Sequence, residues 1–136
     1  NNEMKRLRFM TKMKYIIAAM VLTISSVAYS HEMVPTYPEL SISHIAGLQK
    51  TTMTIFNKRA EVEYYEIGVF TKDWKPIPFV SNYKIYKIPY LSTVSVEIYI
   101  RNEDKKRITY ICSMSKLRKK EITRTAIKSR ICSRVK

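Results

Sequence analysis

The chain has 136 residues, and its charges are strongly unbalanced: 25 Lys and Arg against 11 Asp and Glu give a formal net charge of +14. Hydrophobic residues make up 46% of the chain, with only two Gly and five Pro. This length and composition are typical of one folded domain. They exclude collagen, low-complexity disorder and a multidomain enzyme.

The first thirty residues have the layout of an export signal. Basic residues precede an apolar run over residues 15–27, and small residues stand at Ala28 and Ser30. These positions suit a signal peptidase, so we predict a helical signal peptide over residues 1–30 that is cleaved before His31. The apolar run is shorter than the roughly 20 residues that a spanning helix needs. Cleavage, which leaves no transmembrane span, is therefore favoured over an uncleaved membrane anchor.

The sequence does not fix the residue at which the protein starts. Residue 1 is Asn, and Met13 begins a compact signal of its own, so residues 1–12 could lie upstream of the true start. In either case the domain, residues 31–136, is expected to work outside the cytoplasm, in the periplasm or as a secreted protein.

Alternating apolar and polar residues dominate the mature chain, and no stretch of it shows a sustained helical period. The clearest alternation, over residues 94–101, has Val or Ile at every second position, which is typical of a half-buried strand. Further strands are predicted over residues 40–45, 52–57, 62–71, 83–88, 108–115 and 122–135, the last as one strand or two. Turn-like segments such as residues 47–50 separate them. About seven strands near ten residues apart predict a single, all-β, immunoglobulin-like antiparallel β-sandwich.

The surplus positive charge lies in the last quarter of the chain. Residues 31–104 hold eight Lys and Arg against nine Asp and Glu, whereas residues 105–136 hold twelve against Glu121 alone. Outside a cytoplasm such a block attracts lipid head groups, anionic glycans or an acidic partner. Nucleic acid is disfavoured, because base stacking needs aromatic residues among the cations and only Tyr110 qualifies. A solvated face without a partner is the alternative.

Six segments, taken in order, carry a resemblance to a known family: residues 40–44, 52–57, 62–73, 86–89, 94–101 and 130–135. Their order and spacing resemble the amino-terminal domain of the periplasmic pilus chaperones, the PapD-like family, over nearly the whole mature chain. The resemblance implies an immunoglobulin-type sandwich that caps pilus subunits by lending them an edge strand. It also implies two basic cleft residues that anchor the carboxyl terminus of the subunit.

Two features of the family pattern differ in this chain: one of the two cleft residues, and the donated strand. The cleft residue of the last strand falls on Arg130, but that of the first strand falls on His44, whose imidazole is mostly neutral at pH 7. The donated strand should carry large apolar residues at alternate positions, where this chain has Glu121, Thr123 and Thr125. The resemblance further implies a one-domain relative or a fragment of a two-domain protein.

The predicted function is that of an exported, non-enzymatic binding or assembly module, which contacts a protein partner through a sheet edge and a basic last strand. The candidate contact residues are Lys128, Arg130, Arg134, His44 and Tyr99. The partner would be an appendage subunit or a neighbour in an assembly. Two alternatives stay open: a structural component of an extracellular or viral assembly, and a cationic protein that binds anionic envelope surfaces.

Cys112 and Cys132 are the only cysteines, and an oxidising compartment favours their pairing. Strand phase argues against it, because Cys112 shares a face with apolar residues and Cys132 with basic ones, which predicts opposite sides unless a bulge intervenes. The sequence therefore leaves the disulfide open. No metal, cofactor or catalytic site is expected, since His31 and His44 are the only His and no ligand or catalytic spacing surrounds them.

Overall fold

In the computed structural model, residues 2–22, 30–117 and 128–136 are described. A helix, α1, covers Asn2–Leu22, and its side chains up to residue 17 are exposed. Among the described residues, no helix combines the length and apolarity needed to cross a membrane. The strands described after it are β1 Glu32–Val34, β2 Ser41–Ile42, β3 Leu48–Phe56, β4 Tyr64–Phe70, β5 Ile85–Lys87, β6 Thr93–Arg101, β7 Tyr110–Lys116 and β8 Arg130–Arg134.

The first sheet is organised around β3. Strand β6 pairs antiparallel with β3 along its whole length, from Leu48 opposite Arg101 to Phe56 opposite Thr93. Because β6 occupies one edge of β3, β1 and β2 share the other edge. Strand β1 ends with Val34 opposite Thr54, and β2 pairs further along the same edge.

The second sheet has the strand order β5-β4-β7-β8, and every neighbouring pair is antiparallel. Alternate residues of both sheets point between them and form one core. The buried hydrophobic residues are Met33, Met53, Ile55, Val62, Tyr65, Ile67, Val69, Ile77, Tyr86, Ile88, Val96, Ile98, Ile100, Ile108 and Ile111. The prediction of a two-sheet antiparallel sandwich is confirmed.

Strand boundaries differ from the predictions where turns are tighter than expected. Residues 47–50 were predicted as a turn, but β3 already begins at Leu48, whose N–H donates to Ile45 O at 3.2 Å. Gly47, with φ of +84°, completes the reversal in a backbone conformation that glycine adopts at little cost. The strand predicted over residues 40–45 shortens to β2 for the same reason.

The first and the last strand of the sandwich also differ from the predictions. Strand β1 was not predicted, because three residues are too few for an alternation to show. The strand predicted over residues 122–135 is described only as β8, since residues 118–127 lie outside the described part of the chain. The donor positions Glu121, Thr123 and Thr125 fall in that part and stay untested.

Candidate partner-binding site

Strand β8 is the last strand of the second sheet, and in the described part of the chain no strand pairs with its outer edge. The Ser115 N–H donates to Ser129 O at 2.9 Å, which fixes the phase of the ladder between β7 and β8. Successive residues point their main-chain groups to alternate edges. The N–H and C=O groups of Arg130 and Cys132 therefore point away from β7, toward the outer edge.

The outer edge of β8 is covered at its carboxyl-terminal end. Arg134 N–H donates to Thr36 O at 3.2 Å, and Lys136 N–H donates to Pro38 O at 3.0 Å. The segment between β1 and β2 thus runs beside the end of β8. Strand β1 also comes close to β8, but among the described residues no main-chain hydrogen bond reaches Arg130 or Cys132 from this side, so that short stretch of the edge is unpaired.

The basic side chains of β8 share the outward face of the second sheet. Arg130 is directly opposite Met114, and Arg134 is directly opposite Tyr110. Directly paired residues lie on one face, and both arginines are exposed, as is Lys128 just before the strand. No carboxylate in the described part of the chain forms an ion pair with these three residues.

Trp74 brings an aromatic cluster to these cations. Its ring is stacked on that of Tyr110, with centroids 4.2 Å apart and planes 4° apart. The guanidinium carbon of Arg130 is 4.7 Å from the Trp74 ring centroid, which is cation–π geometry, and Phe70 lies against the indole at 5.9 Å. Trp74 lies between the strands predicted over residues 62–71 and 83–88, and no role was predicted for it. Nothing local in the sequence indicates that the turn at Trp74 folds back over β7 and β8.

Gly68 makes room for this cluster. A Cβ atom at Gly68 would lie 2.7 Å from Cε2 and 2.8 Å from Cζ of Phe70, and 3.3 Å from Cε of Met114. The first two distances are shorter than van der Waals contact. Glycine is therefore the residue that lets the Phe70 ring lie on the surface of β4.

Cys112 and Cys132 occupy directly opposite positions on β7 and β8 and are joined by a disulfide. The prediction that strand phase puts them on opposite sides is wrong. It took the face with Tyr110 and Met114 to be the core face, whereas the residues of β7 that face the core are Ile111 and its alternate neighbours. The disulfide therefore crosses the outward face between the two arginines of β8.

His44 and Tyr99 also come together, but on the first sheet. Their rings meet edge to face at 5.9 Å, and Lys50 Nζ is 5.7 Å from the centroid of Tyr99. Lys50 donates to Glu97 at 3.0 Å, and this hydrogen bond holds the pKa of Glu97 below its ordinary value. The two sheets face outward in opposite directions, so the structure does not join this group to Arg130.

His31, the residue expected to follow signal cleavage, is buried inside the sandwich. Its Nε2 is 2.7 Å from Ser113 Oγ, its Nδ1 is 3.1 Å from Ser129 Oγ, and its ring lies 4.6 Å from that of Tyr65. Burial lowers the pKa of His31 to about 4. The neutral ring therefore fastens the start of β1 to β7 and to the residue before β8.

No family model and no curated protein matches the chain. Among solved structures, the crystal structure of the E. coli chaperone DraB is similar, with a TM-score of 0.55 and 16% sequence identity. The match covers 79% of this chain and 53% of the DraB chain, so this chain spans about half the length of that structure. At this identity the likeness concerns the fold alone, a β-sandwich distantly similar to that of the chaperone.

Proposed function

We propose that this chain is an exported, non-enzymatic binding module of the chaperone type, which contacts a protein partner through the open edge of β8. The observation that carries the proposal is the outward direction of the main-chain groups at Arg130 and Cys132. An extended segment of a partner can pair with such an edge, as in β-strand addition. The likeness of the fold to the chaperone DraB supports this form of binding.

The charges around the edge favour a partner with acidic residues. Lys128, Arg130 and Arg134 are exposed and lie within seven positions of one another along the chain. Positive charge of this kind increases the rate of encounter with an acidic surface, while the main-chain bonds supply the register. A subunit of a surface appendage or a neighbour in an assembly is the partner that this arrangement fits.

Export is part of the proposal. The disulfide between Cys112 and Cys132 supports it, because such bonds persist in the periplasm and outside the cell but are rare in the cytosol. The basic and apolar residues before position 30 support the same address. We accordingly place the module in the periplasm or among secreted proteins.

The proposal is tested with two substitutions at one residue. R130P removes the charge and also the N–H that points to the open edge, and it leaves the ladder bonds to β7 in place. R130A removes the charge and the contact with Trp74 but keeps the N–H, so the comparison of the two variants isolates the main-chain donor. Capture of a partner from the native envelope extract is expected to be lost in R130P at every salt concentration. In R130A it is expected to be weakened mainly at low salt, where charge steering acts.

A control and a contrary outcome complete this test. Lys105, in the exposed turn after β6, provides the matched change K105A, which is expected to leave capture unchanged. Equal capture by R130P and the wild-type chain would overturn the edge proposal, as would a complex that dissolves completely when salt is raised.

A further inference from the structure

The outward faces of the two sheets differ in charge. On the first sheet, the outward charges balance: Lys50 and Arg101 against Glu32 and Glu97. On the second sheet, the register places four cations outward: Lys87, Lys116, Arg130 and Arg134. The acid among the outward strand residues of that sheet is Glu66, which Lys116 already neutralises at 2.6 Å. The second sheet therefore presents a net positive surface, and the first does not.

The cations of the second sheet are spread in two dimensions. Lys87 lies on β5 at one edge of the sheet, Lys116 on β7, and the two arginines on β8 at the other edge. Four strands spaced about 4.8 Å apart make this face about 14 Å wide. Arg130 and Arg134 are separated by roughly 13 Å along their strand. A planar array of anions matches this spread better than one linear polyanion would.

Trp74 supplies an amphipathic side chain at the same face. The indole is 43% exposed although it stacks on Tyr110 and lies beside Arg130. Its backbone has φ of 63°, a conformation that costs energy for any residue except glycine and that persists only where the surrounding structure imposes it. Tryptophan prefers the head-group region of a bilayer, where one part of the ring is wet and the other apolar.

We propose that the outward face of the second sheet docks onto an anionic lipid surface, with its Lys and Arg side chains at the lipid phosphates and Trp74 in the interfacial region. This goes beyond the proposed function, because it uses the face of the sheet and includes residues of β5 and β7. The main-chain groups of β8 point within the plane of the sheet, so they stay accessible while the face is docked. One molecule can thus hold a lipid surface and a protein partner together.

The experiment uses the intrinsic fluorescence of the full chain. Trp74 is the only Trp, so its emission reports on this face alone. Vesicles of phosphatidylcholine mixed with phosphatidylglycerol are expected to shift this emission to the blue, and brominated acyl chains are expected to quench it. Vesicles of phosphatidylcholine alone are expected to do neither. Because the attraction is electrostatic, the shift is expected to diminish as salt is raised.

Two double variants of equal charge separate this face from the rest of the chain. K87Q/K116Q removes two cations from the face, and K105Q/K106Q removes two from the exposed turn between β6 and β7. Each cation near an anionic surface changes partitioning roughly fivefold, so the first variant is expected to bind about 25-fold more weakly. The second is expected to stay within about twofold of the wild type. Both variants keep α1, so any contribution of the helix to vesicle binding is the same in both.

Three outcomes would overturn the proposal: equal weakening in the two variants, sedimentation with vesicles without a change in Trp74 emission, or a response to soluble polyglutamate and none to vesicles. The second would assign membrane binding to another part of the chain, and the third would assign the face to an acidic protein. None of these outcomes affects the edge test, since R130P removes a main-chain donor at the edge of β8 and its readout is the capture of a protein.

Discussion

His31 is a titratable group that the fold holds in its neutral form. Hydroxyl oxygens of Ser113 and Ser129 lie within hydrogen-bonding distance of its two ring nitrogens, and the ring is almost completely shielded from solvent. Arg59, whose Nη1 is 3.3 Å from Ser129 Oγ, adds a positive charge nearby. A positive charge on the His31 ring, beside that of Arg59, is unfavourable here. Protonation of His31 therefore competes with its burial.

This competition predicts a loss of stability in mild acid. The pKa of His31 is about 4 in the folded chain against 6.5 for the free side chain, so the unfolded state binds more protons between these values. Stability from the neutral ring is full above pH 6.5 and falls as the pH drops toward 4, by up to about 3 kcal/mol. Urea unfolding at several pH values measures this slope.

The variant H31Q is expected to be less stable than the wild type at pH 7 and to show a flatter dependence between pH 4 and 6.5. H44Q changes the other His, which lies on an exposed turn, and is expected to keep the wild-type slope. If H31Q and the wild type lose stability in parallel, another group controls the acid response.

Gly68 is a residue at which the ring of Phe70 leaves no room for a side chain. In G68A the new methyl group must displace the ring of Phe70, which we expect to destabilise the domain by roughly 1–3 kcal/mol. In the F70L background the same change is expected to cost much less, because the ring atoms that it meets are gone. A double-mutant cycle by urea unfolding measures the difference, and strictly additive losses would contradict this explanation.

At the scale of the elements, the disulfide is the main covalent constraint on β8. It links strands β7 and β8 across a sequence separation of 20 residues, and closing such a loop in the unfolded chain stabilises a domain by roughly 3 kcal/mol. Reduction is therefore expected to lower the free energy of unfolding by about that amount. The oxidised and reduced chains are compared by urea unfolding at pH 7, with C112A/C132A as a control that should not respond to reductant.

Strands that are buried on one face only could be predicted from the sequence. The alternation of Val and Ile predicted residues 94–101, and β6 is Thr93–Arg101, because its apolar residues face the core and its polar ones do not. The same alternation put Arg130 and Arg134 on one face of the last strand. The alternation did not distinguish the core face of β7 from its outward face, because both faces carry apolar or weakly polar side chains.

The aromatic part of the surface could not be predicted, since it depends on contacts between distant segments. Trp74 meets Tyr110 and Arg130 only because its turn folds back across the sheet. The grouping of His44 with Tyr99 has the same origin, because it follows from how β2 and β6 pair with β3. Their assignment to partner binding stays a prediction.

At the scale of the whole molecule, β1 connects the two sheets. It pairs with β3 in the first sheet, while His31 just before it contacts Ser113 and Ser129 of the second sheet. Met33 places its side chain in the shared core. Among the residues that the structure describes, the hydrophobic ones of that core begin at Met33, and the side chains of α1 up to residue 17 are exposed. We therefore expect the sandwich to be separable from the helix that precedes it.

Two truncations test this separation. A chain of residues 30–136 keeps every core residue that the structure describes, and its free energy of unfolding is expected to lie within about 1 kcal/mol of that of the full chain. A chain of residues 35–136 loses β1, His31 and the buried Met33, and is expected to be at least about 3 kcal/mol less stable, because removing a buried side chain of this size alone costs 2–5 kcal/mol. Urea unfolding followed by Trp74 fluorescence and far-UV circular dichroism measures both. Equal stability of the two fragments would show that β1 does not hold the sheets together, and an unfolded 30–136 fragment would show that the sandwich needs α1.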